Sequence, residues 1–233
     1  MTPVPSPFSV ALLLADARLP GGGHAHSASL EPALLAGMPA ASAPAWMVGR
    51  ATTVGLVEAG TAVVTARLLA GPRATEPEAL GGVVTAWAAR TPAPALRDAA
   101  RLLGRGYLRV ARALWGDDAA VRAAVAHDAA HGPLPRAVVL GAVAAATGLG
   151  AADVVRLTVY DDAQTAASAL LKLEPSDPLA AAGWVLDACA AAEEHVLRVA
   201  ACATPEDIPA SGSPQTEGWA QAHSLTTQRL FRA

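Results

Sequence analysis

Lysine is nearly missing from this chain. Lys172 is the only one in 233 residues, and arginine carries the remaining strong positive charge. With a formal net charge of −3 and no basic run, the chain lacks the electrostatic footprint of a nucleic-acid binder. Aromatic residues make up only 4% and charged residues 16%, against 53% hydrophobic. A substantial core can therefore be buried, and it must be built mainly from aliphatic side chains and alanine. The two cysteines, Cys189 and Cys202, make neither a disulfide framework nor a zinc pattern, which fits a reduced, cytoplasmic protein. The opening stretch MTPVPSPFSVALLLADARLP has no positive leading segment, and Asp16 and Arg18 interrupt its apolar run, so it reads poorly as a signal peptide. The uncharged run from Ala137 to Ala152 falls short of the ~20 apolar residues of a membrane span. It reads as a core helix, and no membrane partner is expected.

Several chemical signatures are missing too. The glycine run PGGG at 20–23 is not followed by Lys-Ser/Thr, and it does not fit the G-x-G-x-x-G pattern. No clear strand precedes it, so the chain is not expected to bind a nucleotide by itself. A positive-φ or flexible turn is the structural reading of those glycines. The nucleophile elbow G-x-S-x-G does not occur. Strand evidence is thin, and apolar residues recur at three- and four-residue spacing. The pattern predicts helices over about 9–16, 29–36, 42–69, 76–89, 95–115, 117–130, 136–147, 151–171 and 178–201. Pro32 suits an early helical position, and Asp177 before Pro178 makes an N-cap with proline in the first turn. The stretch TPEDIPASGSPQTEG, 204–218, reads as a mobile linker. The ending QRLFRA keeps two bulky apolar side chains, which a docked tail would explain. The expected fold is all-α: a single helical-bundle-like domain of about eight to ten helices over residues 1–203, followed by a flexible linker and partner-docking tail over 204–233.

Histidines offer the sharpest chemistry. In HDAAH, His127 and His131 are four apart and share a helix face, a spacing that suits zinc. Asp128 stands where a zinc protease carries Glu, one carbon short of the general-base reach, and no third ligand follows. A helical zinc metallohydrolase using His127, Asp128 and His131 is thus the rival reading. The structural one places His131 in a last helical turn, where a cation favours the dipole. In HAH, His24 and His26 share a side only on an extended backbone. The EEH group at 193–195 reads as a solvated helix face. A helical ligand-binding or regulatory domain is the third option.

The residues LLLADARLPGGGHAHSASLE resemble the N-terminal signature of the UreF family of urease accessory proteins, L-x-x-x-D-S-x-L-P-x-G-x-F-x-[HY]-S-x-G-L-E. Asp16, Leu19, Pro20, Gly22, His26, Ser27, Leu30 and Glu31 match, while Ala17, His24 and Ser29 replace Ser, Phe and Gly. DAARLLGRGYLRVARAL (98–114) is similar to the family's middle helix. Arg229, Leu230 and Phe231 fit its R-L-F-x-S ending. SALLKLEPSDP (168–178) departs from the family's A-V-[RK]-L-G-P-L-G-Q: Lys172, Leu173 and Pro175 fit, but Glu174, Asp177 and Pro178 replace Gly, Gly and Gln. The resemblance implies a non-enzymatic, usually dimeric, all-helical protein. It would bridge UreD (UreH) and the GTPase UreG and help nickel reach apo-urease. GTP would be bound by the partner, nickel handled by the complex, and no cofactor or metal held tightly by this chain. The residues it points to for partner binding are His26, Ser27 and Glu31 on the signature loop, with His26 and Glu31 exposed to a partner. Lys172 is at the family's basic position, and Arg229, Leu230, Phe231 and Arg232 are in the tail.

Overall fold

The structure, a computed structural model, describes residues 5–72, 79–226 and 230–231. It is all helical, with no strand among the described residues. The α-helices in chain order are α1 (Pro7–Leu14), α2 (Leu30–Leu35), α3 (Ala43–Ala51), α4 (Val54–Ala70), α5 (Ala79–Ala89) and α6 (Pro94–Trp115). They continue with α7 (Ala119–His131), α8 (Arg136–Thr147), α9 (Ala151–Leu173), α10 (Pro178–Glu193), α11 (Val196–Ala200) and α12 (Pro214–His223). This exceeds the expected number for two reasons: two predicted helices are each broken, and the presumed linker folds.

The first break has a clear cause. The helix predicted over 42–69 divides at Thr52–Thr53, where Thr53 leaves helical backbone angles. Both threonine hydroxyls turn back onto α3. Thr52 Oγ1 donates to the Val48 carbonyl at 3.1 Å, and Thr53 Oγ1 to that of Gly49 at 2.7 Å. Side-chain hydroxyls bonding their own helix compete with its continuation. The second break leaves Glu194 and His195 between α10 and α11.

Helix α4 runs through the centre, packed on α8 and α9. Residues Ala40–Ala70 are long and apolar enough to cross a membrane by composition, yet an apolar 18-residue window within them is 61% buried in the fold. Val57, Ala59, Ala62 and Val63 are core residues there, so the apolarity is used against neighbouring helices. Helix α6 is strongly amphipathic. Leu96, Tyr107, Leu108 and Ala111 face inward, and Arg105, Arg109 and Arg112 face out. Two of its glycines permit close approach of other backbone. A Cβ at Gly104 would overlap the Leu134 carbonyl, and one at Gly106 would overlap the Gly21 carbonyl.

The expectation of a mobile linker at 204–218 is corrected. Pro205–Asp207 forms a 3-10 turn in which Asp207 accepts the N–H groups of Ala203 and Thr204. Arg90 donates to the Ile208 carbonyl at 2.9 Å, and Ile208 is buried. Helix α12 then caps α6. Glu217 accepts the Ala93 N–H at 2.7 Å, and Gln221 accepts that of Ala95 at 3.1 Å. The first N–H groups of a helix lack partners within it, and the segment's polar residues supply them. Composition suggested disorder because it cannot show which distant donor an acid will meet.

Candidate functional site

The signature segment leaves α1 through a tight ion pair. Asp16 accepts the backbone N–H of Arg18 at 2.9 Å and its guanidinium at 2.7 Å. These bonds from Arg18 pull the Asp16 carboxyl down to about 2. Helix α6 then holds the loop. Gly106 lies against Gly21, the Tyr107 ring packs beside it, and Arg109 donates to the Pro20 carbonyl at 2.8 Å. Gly22 adopts φ +90°, the positive-φ turn expected of the glycine run. A 3-10 turn over Gly23–Ala25 carries His24, and His26 follows it in extended backbone. His24 is exposed and His26 is buried.

His26, Ser27 and Glu31 are all buried, at 5%, 0% and 4% exposure. This overturns the expectation that His26 and Glu31 face outward to a partner. Ser27 Oγ accepts the Glu31 N–H at 3.2 Å, fixing the start of α2. The Glu31 carboxylate accepts two successive backbone N–H groups from the far end of the chain, Leu230 at 2.7 Å and Phe231 at 2.8 Å. His223 Nε2 of α12 lies 3.4 Å from the same carboxylate. Phe231 is buried, and Leu230 is exposed. Lys172, exposed near the end of α9, sets its ammonium 5.4 Å from the centre of the Phe231 ring. The signature loop, Lys172 and the tail residues Leu230 and Phe231 therefore meet in one place. The signature loop, Lys172 and Phe231 border a cavity of about 230 Å³ that also touches Asp16, His24 and Gln164. Arg229 and Arg232 lie outside the described residues.

Behind this surface lies a buried polar cluster. Arg136, at the start of α8, pairs with Asp161 of α9. Arg50 of α3 holds Asp162 through Nε at 2.7 Å and Nη2 at 2.9 Å. Trp87 Nε1 of α5 donates to Glu58 of α4 at 2.6 Å. Burial raises Glu58 and Asp161 above the usual carboxylate range, against the pull of Arg136. Burial and the Asp161 charge push the Tyr107 phenol up to about 12. Burial works against the Arg136 charge, but its acidic neighbours keep the guanidinium protonated. Sequence reasoning missed this cluster. Its signal was single acids inside apolar helical runs, such as Glu58 within VGLVEAGTAVV and the pair Asp161–Asp162 within α9.

The UreF family model matches residues 39–189. A urease accessory protein UreF of Mycobacterium sp. (strain JLS) is 36% identical over 230 residues, covering 94% of this chain and 96% of that protein. The chain belongs to the UreF family. Its relatives also include the UreF of Mycolicibacterium vanbaalenii, 34% identical with 97% of this chain and 99% of that protein covered. The UreF of Mycobacterium tuberculosis (strain H37Rv) is 38% identical, covering 73% and 76%.

Ser29, standing where the UreF signature has Gly, has φ +71°. Only glycine enters that region without steric cost; other L-residues give up roughly 1–2 kcal/mol. Restoring the glycine should stabilise the fold: Ser29→Gly is expected to gain up to about 1 kcal/mol in denaturant unfolding. An unchanged or lowered midpoint would show that the loop carries no such strain.

The divergent 168–178 segment ends α9 at Leu173 and starts α10 with the expected cap, Asp177 accepting the Leu179 N–H at 2.9 Å with Pro178 in the first turn. In HDAAH the His127 and His131 rings lie against each other, tilted by 39° with centroids 4.5 Å apart. Asp128 is occupied in turning the chain, accepting the Leu134 N–H at 2.9 Å. Among the described residues no three His, Cys, Asp or Glu side chains gather as a metal site. This geometry gives the metallohydrolase reading no support.

Proposed function

We propose that this chain is the non-enzymatic scaffold of a urease-maturation complex. It bridges a UreD/UreH-type subunit and a UreG-type GTPase, gates GTP hydrolysis there, and passes nickel, as cargo, toward apo-urease in the cytoplasm. GTP is held by the partner, and the chain binds no cofactor tightly. The observation that carries this reading is the Glu31 clamp on Leu230 and Phe231, with Lys172 beside it. It joins the signature loop, the basic position and the tail into one surface. Exposed Leu230 offers apolar area to a partner at that surface, and Leu179, Leu186 and Leu197 offer it to a second copy on α10 and α11.

The test is co-expression with UreD- and UreG-type partners, with urease activity scored in the same cells. Light scattering on the preparation reads the copy number. Deleting residues 226–233 should preserve the helical circular dichroism and weaken co-purification with the UreD-type subunit about tenfold or more, ~1.4 kcal/mol of lost contact. Undiminished co-purification removes the tail from the interface.

Lys172→Ala addresses the gating role separately. GTP turnover in the assembled complex should change by a factor of about 3–10, with assembly retained. Normal turnover together with normal urease activation would refute a gating role for Lys172.

A further inference from the structure

Two buried donors on different elements line the same small cavity without a hydrogen-bond partner. Arg50 uses Nε and Nη2 on Asp162, and its Nη1 has no partner, although the side chain is only 10% exposed. Ser29 is 1% exposed, and its Oγ is likewise unpartnered. Both line a cavity of about 80 Å³ whose walls also include Glu58, Thr91, Asp161 and Asp162. Buried polar groups are almost always satisfied, so a pair of orphaned donors in one cavity needs an account. At ~30 Å³ per water in the liquid, the space matches two or three waters or one small molecule.

The surrounding charges select among occupants. Arg50 and Arg136 are balanced by Asp161 and Asp162. Burial holds Glu58 toward its neutral form. An anion would enter as an unbalanced buried charge, whose desolvation outweighs what a few contacts return. A cation would likewise enter as an unbalanced buried charge, beside the unpartnered Arg50 Nη1–H. A neutral molecule with both an acceptor and donors meets neither obstacle.

We propose that this cavity is a binding site for a small neutral amide. Its carbonyl oxygen accepts from Arg50 Nη1 and Ser29 Oγ, and its N–H groups face the carboxylate oxygens of Asp161 and Asp162. The site is independent of the scaffold reading, since nothing in it requires a partner protein.

Titration of the ¹⁵N-labelled full chain with formamide, acetamide and urea tests it, followed at the Ser29 amide and the Arg50 Nε–H. A ligand of so few atoms binds in the range of about 0.1–10 mM at best, given the ceiling on binding energy per atom. Saturable shifts at those two positions are expected. Acetate, the charged isostere of acetamide, should bind at least about tenfold more weakly. Ala100→Leu, which fills the cavity from α6 without touching its polar groups, should abolish the shifts. Ser29→Ala, a minimal change, should weaken binding about 3–10-fold for one lost hydrogen bond. Linear, non-saturating shifts would mean that the cavity holds water only. Equal or tighter binding of acetate, or full binding in Ser29→Ala, would overturn the assignment.

Discussion

Replacing Arg136 by Met should lower the folding stability by about 3–5 kcal/mol, the cost of stranding a buried charge. This one guanidinium sits at the start of α8, pairs with Asp161 on α9, and lies beside Glu58 of α4 and Tyr107 of α6. Methionine keeps the apolar stem, so most of the loss reports the charge rather than a void. Against the 5–15 kcal/mol of a typical domain it is a large fraction. The pH dependence has a definite sign. Burial raises Asp161 above the usual carboxylate range, even with Arg136 in place. A carboxyl raised in the folded state contributes stability below its ordinary range and loses it as pH rises through the raised value. Without Arg136 the rise is larger. The deficit of the variant relative to the parent should therefore widen with increasing pH and shrink toward pH ~4. Guanidinium unfolding across that range measures it. The double variant Arg136→Met, Asp161→Asn should recover much of the loss. Strict additivity of the two single changes would show that the pair is not coupled.

Glu31→Ala should release Leu230 and Phe231 while leaving the helical bundle intact. Each hydrogen bond from a backbone N–H to a carboxylate contributes ~1.5–3 kcal/mol, so the pair gives about 3–6 kcal/mol of tail docking. Helix α12 keeps its own hold on α6 through Glu217 and Gln221, so release stops short of it. Hydrogen exchange at the Leu230 and Phe231 amides should accelerate by about two orders of magnitude or more, and carboxypeptidase should trim the chain end. Glu31→Gln, retaining one carbonyl acceptor, should fall between the two. If amide protection at Leu230 and Phe231 is unaltered in Glu31→Ala, the carboxylate is not what holds the tail. The same variant, in the co-purification assay, separates the tail's position from its sequence, because no tail residue is changed.

Much of the architecture follows from local pattern alone. Periodic apolar positions mark the helices, Asp177–Pro178 marks the start of α10, and Gly22 marks the turn, because propensity, capping and positive φ depend on near neighbours. The family signature was legible for the same reason: Asp16 and Ser27 each act within a few residues of their own position. Even Ser29 at φ +71° is a local fact, visible as a departure from glycine.

What the sequence could not show is set by pairs far apart along the chain. Glu31 reads as a first-turn acid of α2, exposed to a partner; in the fold it is buried, and its ligands lie 199 and 200 residues away. The acids of 204–218 read as solvated linker, but one of them caps α6 across 124 residues. Arg50 and Asp162 meet across 112 residues. A polar side chain stays in water or enters the core according to whether packing brings it a partner, and desolvation penalises burial without one. Local sequence thus determined that the chain is helical and where most helices begin and end. Only the tertiary structure decided which charges are buried, because their partners are supplied by elements that become neighbours when the chain folds.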